Sequence, residues 1–149
     1  MYDLRALQLP ALLELSALGI GWEHDKGENA NYELVVGNRL LITHGEIARK
    51  FSAYTAKAQM ERENYQISVM SGHTHRGGSY FTQSRGVMTQ AHECFCLCQL
   101  NPGYVRNPNW QQGIALATVT TKTLTVEMIP FFQIRNKTYA QWRDKEYIS

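Results

Sequence analysis

Apolar runs alternate with polar punctuation along this chain, and the spacing changes character near residue 78. The first run, Leu4 to Leu18, is rich in leucine and alanine, with Pro10 inside it and Gly19 after it. Proline at a first helical position has no N–H to waste, and glycine just past a last turn accepts left-handed backbone. A short helix from Pro10 to Leu18 is therefore predicted. Ile20 to Asn31 is polar, with Gly21, Gly27 and Asn29, and is predicted to be a loop. Tyr32 to Val36 and Arg39 to Thr43 then flank Gly37-Asn38, the pattern of a hairpin with a two-residue turn. The second of these runs is apolar through its middle, which predicts burial on both faces, and it ends at His44-Gly45. From Glu46 to Asn64, Ile47, Phe51, Tyr54 and Ala58 recur at helical spacing, with Arg49, Lys50, Lys57, Glu61, Arg62 and Glu63 filling much of the remainder. An amphipathic helix is predicted. Gln66 to Ser71 is another short strand, and it runs directly into Gly72-His73-Thr74-His75-Arg76-Gly77-Gly78.

A strand, a helix and a second strand in that order make the two strands parallel. His44 and the His73/His75 pair are then expected at the same edge of one sheet. Beyond Gly78 the pattern is β throughout. Ser79 to Gln83 and Val87 to Ala91 flank Ser84-Arg85-Gly86, and the run Cys94-Phe95-Cys96-Leu97-Cys98 is expected to continue the sheet to Leu100 with its thiols on one face. After a loop from Asn101 to Asn109, Ile114 to Val119 and Leu124 to Ile129 alternate as strands around Thr120-Thr121-Lys122-Thr123. The tail from Arg135 mixes polar residues with Tyr139, Trp142 and Tyr147, and is expected to pack at a sheet edge or to fray.

Length and charge narrow the picture. A chain of 149 residues suits a single domain, and a net charge of +2 gives no electrostatic argument for nucleic acid or membrane. No apolar run approaches the roughly 18 to 20 residues of a membrane span. The opening Met1-Tyr2-Asp3-Leu4-Arg5 lacks the order of a signal peptide, so a cytoplasmic location is expected. The three alternating cysteines suit small buried thiols better than a disulfide framework. Their spacing is not that of a zinc ribbon, which leaves thiolate ligation as the lesser alternative.

Candidate chemistry concentrates in the segment Gly72–Gly78. Histidines one residue apart in an extended segment point to the same side, with Cα atoms roughly 6.6 to 7 Å apart. Imidazole suits Zn, Fe, Ni and Cu. The flanking glycines allow sharp turns and close approach to a ligand, and Arg76 is expected as a fixed cation at the rim. The competing reading is two polar side chains in a glycine-rich turn. His24-Asp25 is read as a solvated loop and His92 as structural.

His44-Gly45, a helix, and then Gly72-His73-Thr74-His75-Arg76 at the end of the next strand resemble, in order and spacing, the C-terminal half of calcineurin-like metallophosphoesterases. Glu93 to Leu97 and Asn109-Trp110-Gln111-Gln112-Gly113 look like the versions of that fold found in phages and bacteria. The resemblance implies an α/β fold: the C-terminal half of a four-layer αββα sandwich, in which one strand-helix-strand crossover precedes an antiparallel β region, the whole chain 1–149 forming one partial domain. It implies a two-metal site at the strand ends, with His44 and His73 on the second metal, His75 on the first, and Arg76 and Tyr80 near the substrate. Mn, Fe and Zn all suit such ligands. In sites of this kind two cations roughly 3.5 to 4 Å apart clamp the phosphoryl oxygens during in-line displacement.

The family's N-terminal half carries Asp-x-His, Gly-Asp-x-x-Asp and Gly-Asn-His motifs, and none of these occurs in this sequence. Without bridging carboxylates the chain alone is expected to hold at most one metal, weakly. The implied function is half of a two-metal phosphoesterase, with phosphodiesters, nucleotides or nucleic acids as favoured substrates. A separate chain or a longer native product would complete it. The alternative is a non-catalytic binding or assembly module. A stand-alone hydrolase using three histidines ranks last, for want of a carboxylate base. An uncovered sheet edge and the leucine-rich first segment predict association with a partner or with a second copy.

Overall fold

A computed structural model describes residues 14–19 and 33–149. The chain divides into two compact units, Met1–Ala30 and Asn31–Ser149. In the first, Leu18 N–H bonds the Glu14 carbonyl at 3.2 Å and Gly19 N–H bonds Ser16 at 3.1 Å. Residues 14–19 form consecutive turns, and Gly19, at φ +68°, takes the left-handed stop expected of it. The rest of the predicted first helix, the loop to Asn31 and His24 lie outside the described residues.

The second unit is α/β, with two sheets and, among the described residues, one helix. Its first sheet has the order β1-β2-β3-β5-β4, from strands β1 (Glu33–Val36), β2 (Leu40–Thr43), β3 (Ser68–Ser71), β4 (Gly77–Ser84) and β5 (Val87–Cys94). The helix α1 (Tyr54–Arg62) connects β2 to β3, and these strands pair in parallel from Leu40 with Ser68 to Thr43 with Ser71, as the crossover argument requires. The hairpin between β1 and β2 carries three loop residues where two were expected. Gly37 and Asn38 both have positive φ, Arg39 N–H bonds the Val36 carbonyl at 3.1 Å, and Val36 pairs with Leu40.

The predicted helix over residues 46–64 is much shorter, and its buried face differs from the one expected. Phe51 and Tyr54 are exposed and lie edge to face, whereas Thr55, Ala56, Ala58, Gln59 and Met60 are buried. The cause is long-range. The Arg76 guanidinium donates to the carbonyls of Lys50 and Arg49 at 2.8 and 2.7 Å, and Thr55 Oγ1 accepts from Arg49 N–H. These bonds satisfy the backbone of that stretch from outside, so it has no need of a helical ladder.

Beneath α1, Ala56 and Met60 pack on a row running across the sheet through Leu41, Val69 and Ala91, with Tyr80 at its end. The opposite face carries Leu40, Ser68 and Gln90 toward the second sheet, where Gln90 Nε2 donates to the Leu124 carbonyl. That second sheet is an antiparallel meander of β6 (Gly113–Val119), β7 (Leu124–Ile134), β8 (Lys137–Trp142) and β9 (Lys145–Ile148). The polar tail is thus two further strands with β9 at the edge, turned at Arg135 and Arg143, both in left-handed backbone. Among the described residues no helix is long and apolar enough to cross a membrane.

Candidate functional site

Because β2 and β3 are parallel and in register, the residues that follow them emerge side by side. His44 comes directly after Thr43, and His73 lies two residues beyond Ser71. Gly45, at φ +78°, lets the chain turn away behind His44, and its N–H is held by Thr43 Oγ1 at 3.1 Å. The segment Gly72–Thr74 closes a tight turn in which Thr74 N–H reaches the Gly72 carbonyl at 2.8 Å around His73 at φ +69°. This positive-φ γ-turn is rare and strained. It brings His73 Nδ1 to 3.3 Å from His44 Nε2, with the two rings edge to face.

His75 also sits in left-handed backbone, at φ +59°, so the segment is not the extended one expected. Two strained residues in four cost about 1 to 3 kcal/mol each and persist only where the surroundings hold them. A buried polar network does so here. Glu93, fully buried, accepts from Thr55 N–H at the start of α1 through Oε1 and from the Thr74 hydroxyl through Oε2, both at 2.9 Å. Its Oε2 also stands 3.4 Å from Arg76 Nε, an ion pair without a hydrogen bond. One carboxylate therefore joins the histidine turn, the arginine behind it and the N-terminus of α1, where Ala53 supplies no side-chain cap.

Arg76 is not the rim cation the sequence suggested. It is buried, its terminal nitrogens donate to Lys50, Arg49 and Thr55, and its charge is paired with Glu93. Tyr80 is likewise elsewhere: it packs under α1 with the Lys57 ammonium 5.5 Å above its ring, because the alternation along β4 turns it to the helix side. Gly77 and Gly78 make room for protein. A Cβ at Gly77 would lie 1.8 Å from the Phe95 ring, and one at Gly78 would lie 2.6 Å from Ala53 N. His92 is buried, with Ser79 Oγ 2.9 Å from Nδ1 and Gln90 Oε1 3.0 Å from Nε2, and burial pushes its pKa down to about 4.

The cysteine run does not continue the strand. Pairing ends at Cys94, and Phe95, at φ +62°, turns the chain so that Cys96 makes only an isolated bridge to Gln112. Cys94 is half-buried, and partial burial pushes its thiol up to about 11. Cys96 and Cys98 instead meet His75, and the ligand atoms of the three lie within 4.8 Å of one another. The Cys98 Sγ is 3.6 Å from His75 Nδ1. Burial, then the neighbouring Cys98 thiol, push Cys96 up to about 11. Such a group could hold a metal ion; sequence spacing left thiolate ligation as the lesser alternative and did not join His75 to the thiols. The signal that could have found it is the histidine, cysteine and cysteine content of two segments that parallel pairing brings to one sheet edge.

The three histidines thus divide, His44 with His73 and His75 with two thiols. An open cleft of about 360 Å³ lies beside His73, lined among others by Arg49, Asn107, Asn109 and Trp110. The His75 ring is stacked edge to face on Trp110 at 4.4 Å. Among the described residues no carboxylate joins these ligand atoms, since Glu93 is taken up by the network behind them. Two imidazoles at this separation fit part of one cation's shell, but they do not by themselves fit a carboxylate-bridged pair of cations. Set against family models, curated proteins and solved structures, the chain matches none.

Proposed function

We propose that this chain carries the histidine half of a metal-dependent phosphoesterase of the calcineurin-like type. Its fold would then be the C-terminal half of that family's αββα sandwich. His44 and His73 serve one divalent cation and His75 the other, and the carboxylate ligands come from an N-terminal half in another chain or a longer product. The observation that carries this reading is the pairing of His44 with His73 at 3.3 Å, by a strained turn, at the ends of adjacent parallel strands. Strain of this sort is retained where the surroundings fix a working geometry.

Divalent cations in such a site supply Lewis acidity toward a phosphoryl oxygen. The chain's own contribution is orientation. Glu93 and Arg76 hold the turn rigid from behind, Thr74 is fixed by its hydroxyl, and the cleft beside His73 admits an extended phosphoester. Arg49, exposed at that cleft, takes the anion-pairing role first given to Arg76. Phosphodiesters, nucleotides or nucleic acid are the favoured substrate class.

The test is complementation. The isolated chain, mixed with a fragment bearing the three aspartate and asparagine motifs and given Mn, should hydrolyse a generic phosphodiester. His44→Ala or His73→Ala should abolish that rate. A mixture with no hydrolysis and no metal uptake would sink the reading in favour of a binding or assembly module. That alternative draws its support from the open apolar face of the second sheet.

A further inference from the structure

Cys96, Cys98 and His75 are positioned from a single segment. Gln111 N–H bonds the His75 carbonyl at 2.9 Å, and the Gln111 carbonyl accepts from Cys96 N–H at 3.1 Å. Gly113 N–H returns to the Cys96 carbonyl at 3.1 Å, and Gln112 Nε2 donates to the Cys98 carbonyl at 2.8 Å. Between them, the Phe95 ring fills the space that Gly77 and Gly113 leave by lacking a Cβ. Three donor-bearing residues from two distant stretches are therefore fixed to one template before any ligand arrives. Preorganisation of this kind lowers the cost of assembling a coordination shell.

We propose that His75, Cys96 and Cys98 form a three-ligand site for a thiophilic divalent cation of the zinc type, with its fourth position open to solvent or substrate. Metal-ligand distances of 2.0 to 2.3 Å in a tetrahedron put a sulfur and a nitrogen roughly 3.5 Å apart. The Cys98 Sγ to His75 Nδ1 separation of 3.6 Å already matches that edge. No separation in the group exceeds 4.8 Å, so the remaining edges close by about 1 Å. Donor chemistry selects the ion, because two thiolates and an imidazole favour zinc over manganese or magnesium, which seek oxygen. A cation here needs none of the carboxylates that the His44–His73 pair lacks. The site deepens the reading of His75 as a ligand but does not rest on phosphoester chemistry.

The experiment uses the full chain, reduced and stripped of metal with a chelator, and titrates it with Zn(II) alone and Co(II) alone. One equivalent should bind, Co(II) should develop thiolate-to-cobalt charge-transfer absorption, and tryptophan fluorescence should change through Trp110. Cys98 is exposed, so Cys98→Ser should fold normally by circular dichroism. It should lose affinity by at least the roughly 10- to 100-fold that removal of an outer-shell partner costs. Cys96→Ser should behave alike, whereas Cys94→Ala should keep both the affinity and the absorption band. The proposal is overturned if wild type shows no charge-transfer band, or if Cys98→Ser and Cys96→Ser bind cobalt unchanged. It is overturned equally if Cys94→Ala removes the band. Failure of phosphodiester hydrolysis with the complementing fragment would leave this readout untouched, so the two readings fall separately.

Discussion

The first sheet keeps charge and polarity inside, and the second leaves apolar side chains open. Within the first sheet and its flank, Glu93 is 0 % exposed, His92 1 % and Arg76 7 %, each with a partner on another element. On the second sheet, Ile114 pairs with Ile129, and Phe131, Ala140 and Tyr147 form a row; with Leu116 and Trp142 they line an open apolar groove of about 310 Å³. A buried ion pair is a poor source of stability, since desolvation offsets most of its attraction. Its presence here is better explained by what it holds, two residues in left-handed backbone just beyond the C-terminal end of β3. An open apolar groove is the opposite case, burial not yet realised, worth about 25 cal/mol per Å² once something covers it. The first region is a finished scaffold for a site, and the second is a surface that a partner can still complete.

The hardest test of that contrast removes the carboxylate that ties the scaffold together. Glu93→Ala leaves the Arg76 cation buried without its counter-charge and Thr55 N–H without its acceptor, and should destabilise by about 3 to 5 kcal/mol in urea unfolding. A loss under about 1 kcal/mol would mean that the carbonyls of Arg49 and Lys50 suffice for Arg76. His92 gives the next largest effect, through pH. Its folded pKa lies near 4 because burial disfavours the charged ring, against 6.5 when unfolded. The unfolded chain takes up the proton first as pH falls. The stability due to neutral His92 is therefore full above about pH 6.5 and is lost progressively down to about pH 4, about 3 kcal/mol in all. Urea midpoints measured at steps across that window should follow this slope, and His92→Gln should flatten it.

Gly77→Ala probes the joint between the two regions. The added methyl meets the Phe95 ring at 1.8 Å, so ring or strand must shift, at about 1 to 3 kcal/mol. Because Phe95 precedes Cys96, the same variant should weaken the cobalt charge-transfer band. Unchanged stability together with an unchanged band would show that the ring swings aside freely.

What was legible in the sequence follows from how far each determinant reaches. The order of β2, α1 and β3, and hence the meeting of His44 with His73, needed only local periodicity and the rule that a helical crossover makes strands parallel. The late start of α1 was hidden, because the residue that straightens 46–53 is Arg76, on the far side of the next strand. Glu93 was hidden for the same reason: its three partners come from α1 and the histidine turn. Tyr80 was misplaced because register, which decides the face of β4, comes from pairing with β5. The thiols were misread because alternation assumes an unbroken strand, and one positive φ at Phe95 ends it.

The smallest expected effect lies on the second sheet. Leu116 and Tyr147 stand on its open groove at 37 % and 47 % exposure, so replacing either with serine forfeits little burial in the isolated chain. Each should change stability by less than about 1 kcal/mol. Both should nonetheless reduce the concentration-dependent association expected of an open apolar face, followed by light scattering. If a second copy covers the groove, the stability cost of Leu116→Ser should grow with protein concentration, since association adds to the free energy of the folded state alone. A wild type that stays monomeric at every concentration, with both variants indistinguishable from it, would reduce the contrast between the sheets to one of composition. The groove would then be surface that water covers well enough, and completion of the site would have to come through the histidine edge of the first sheet.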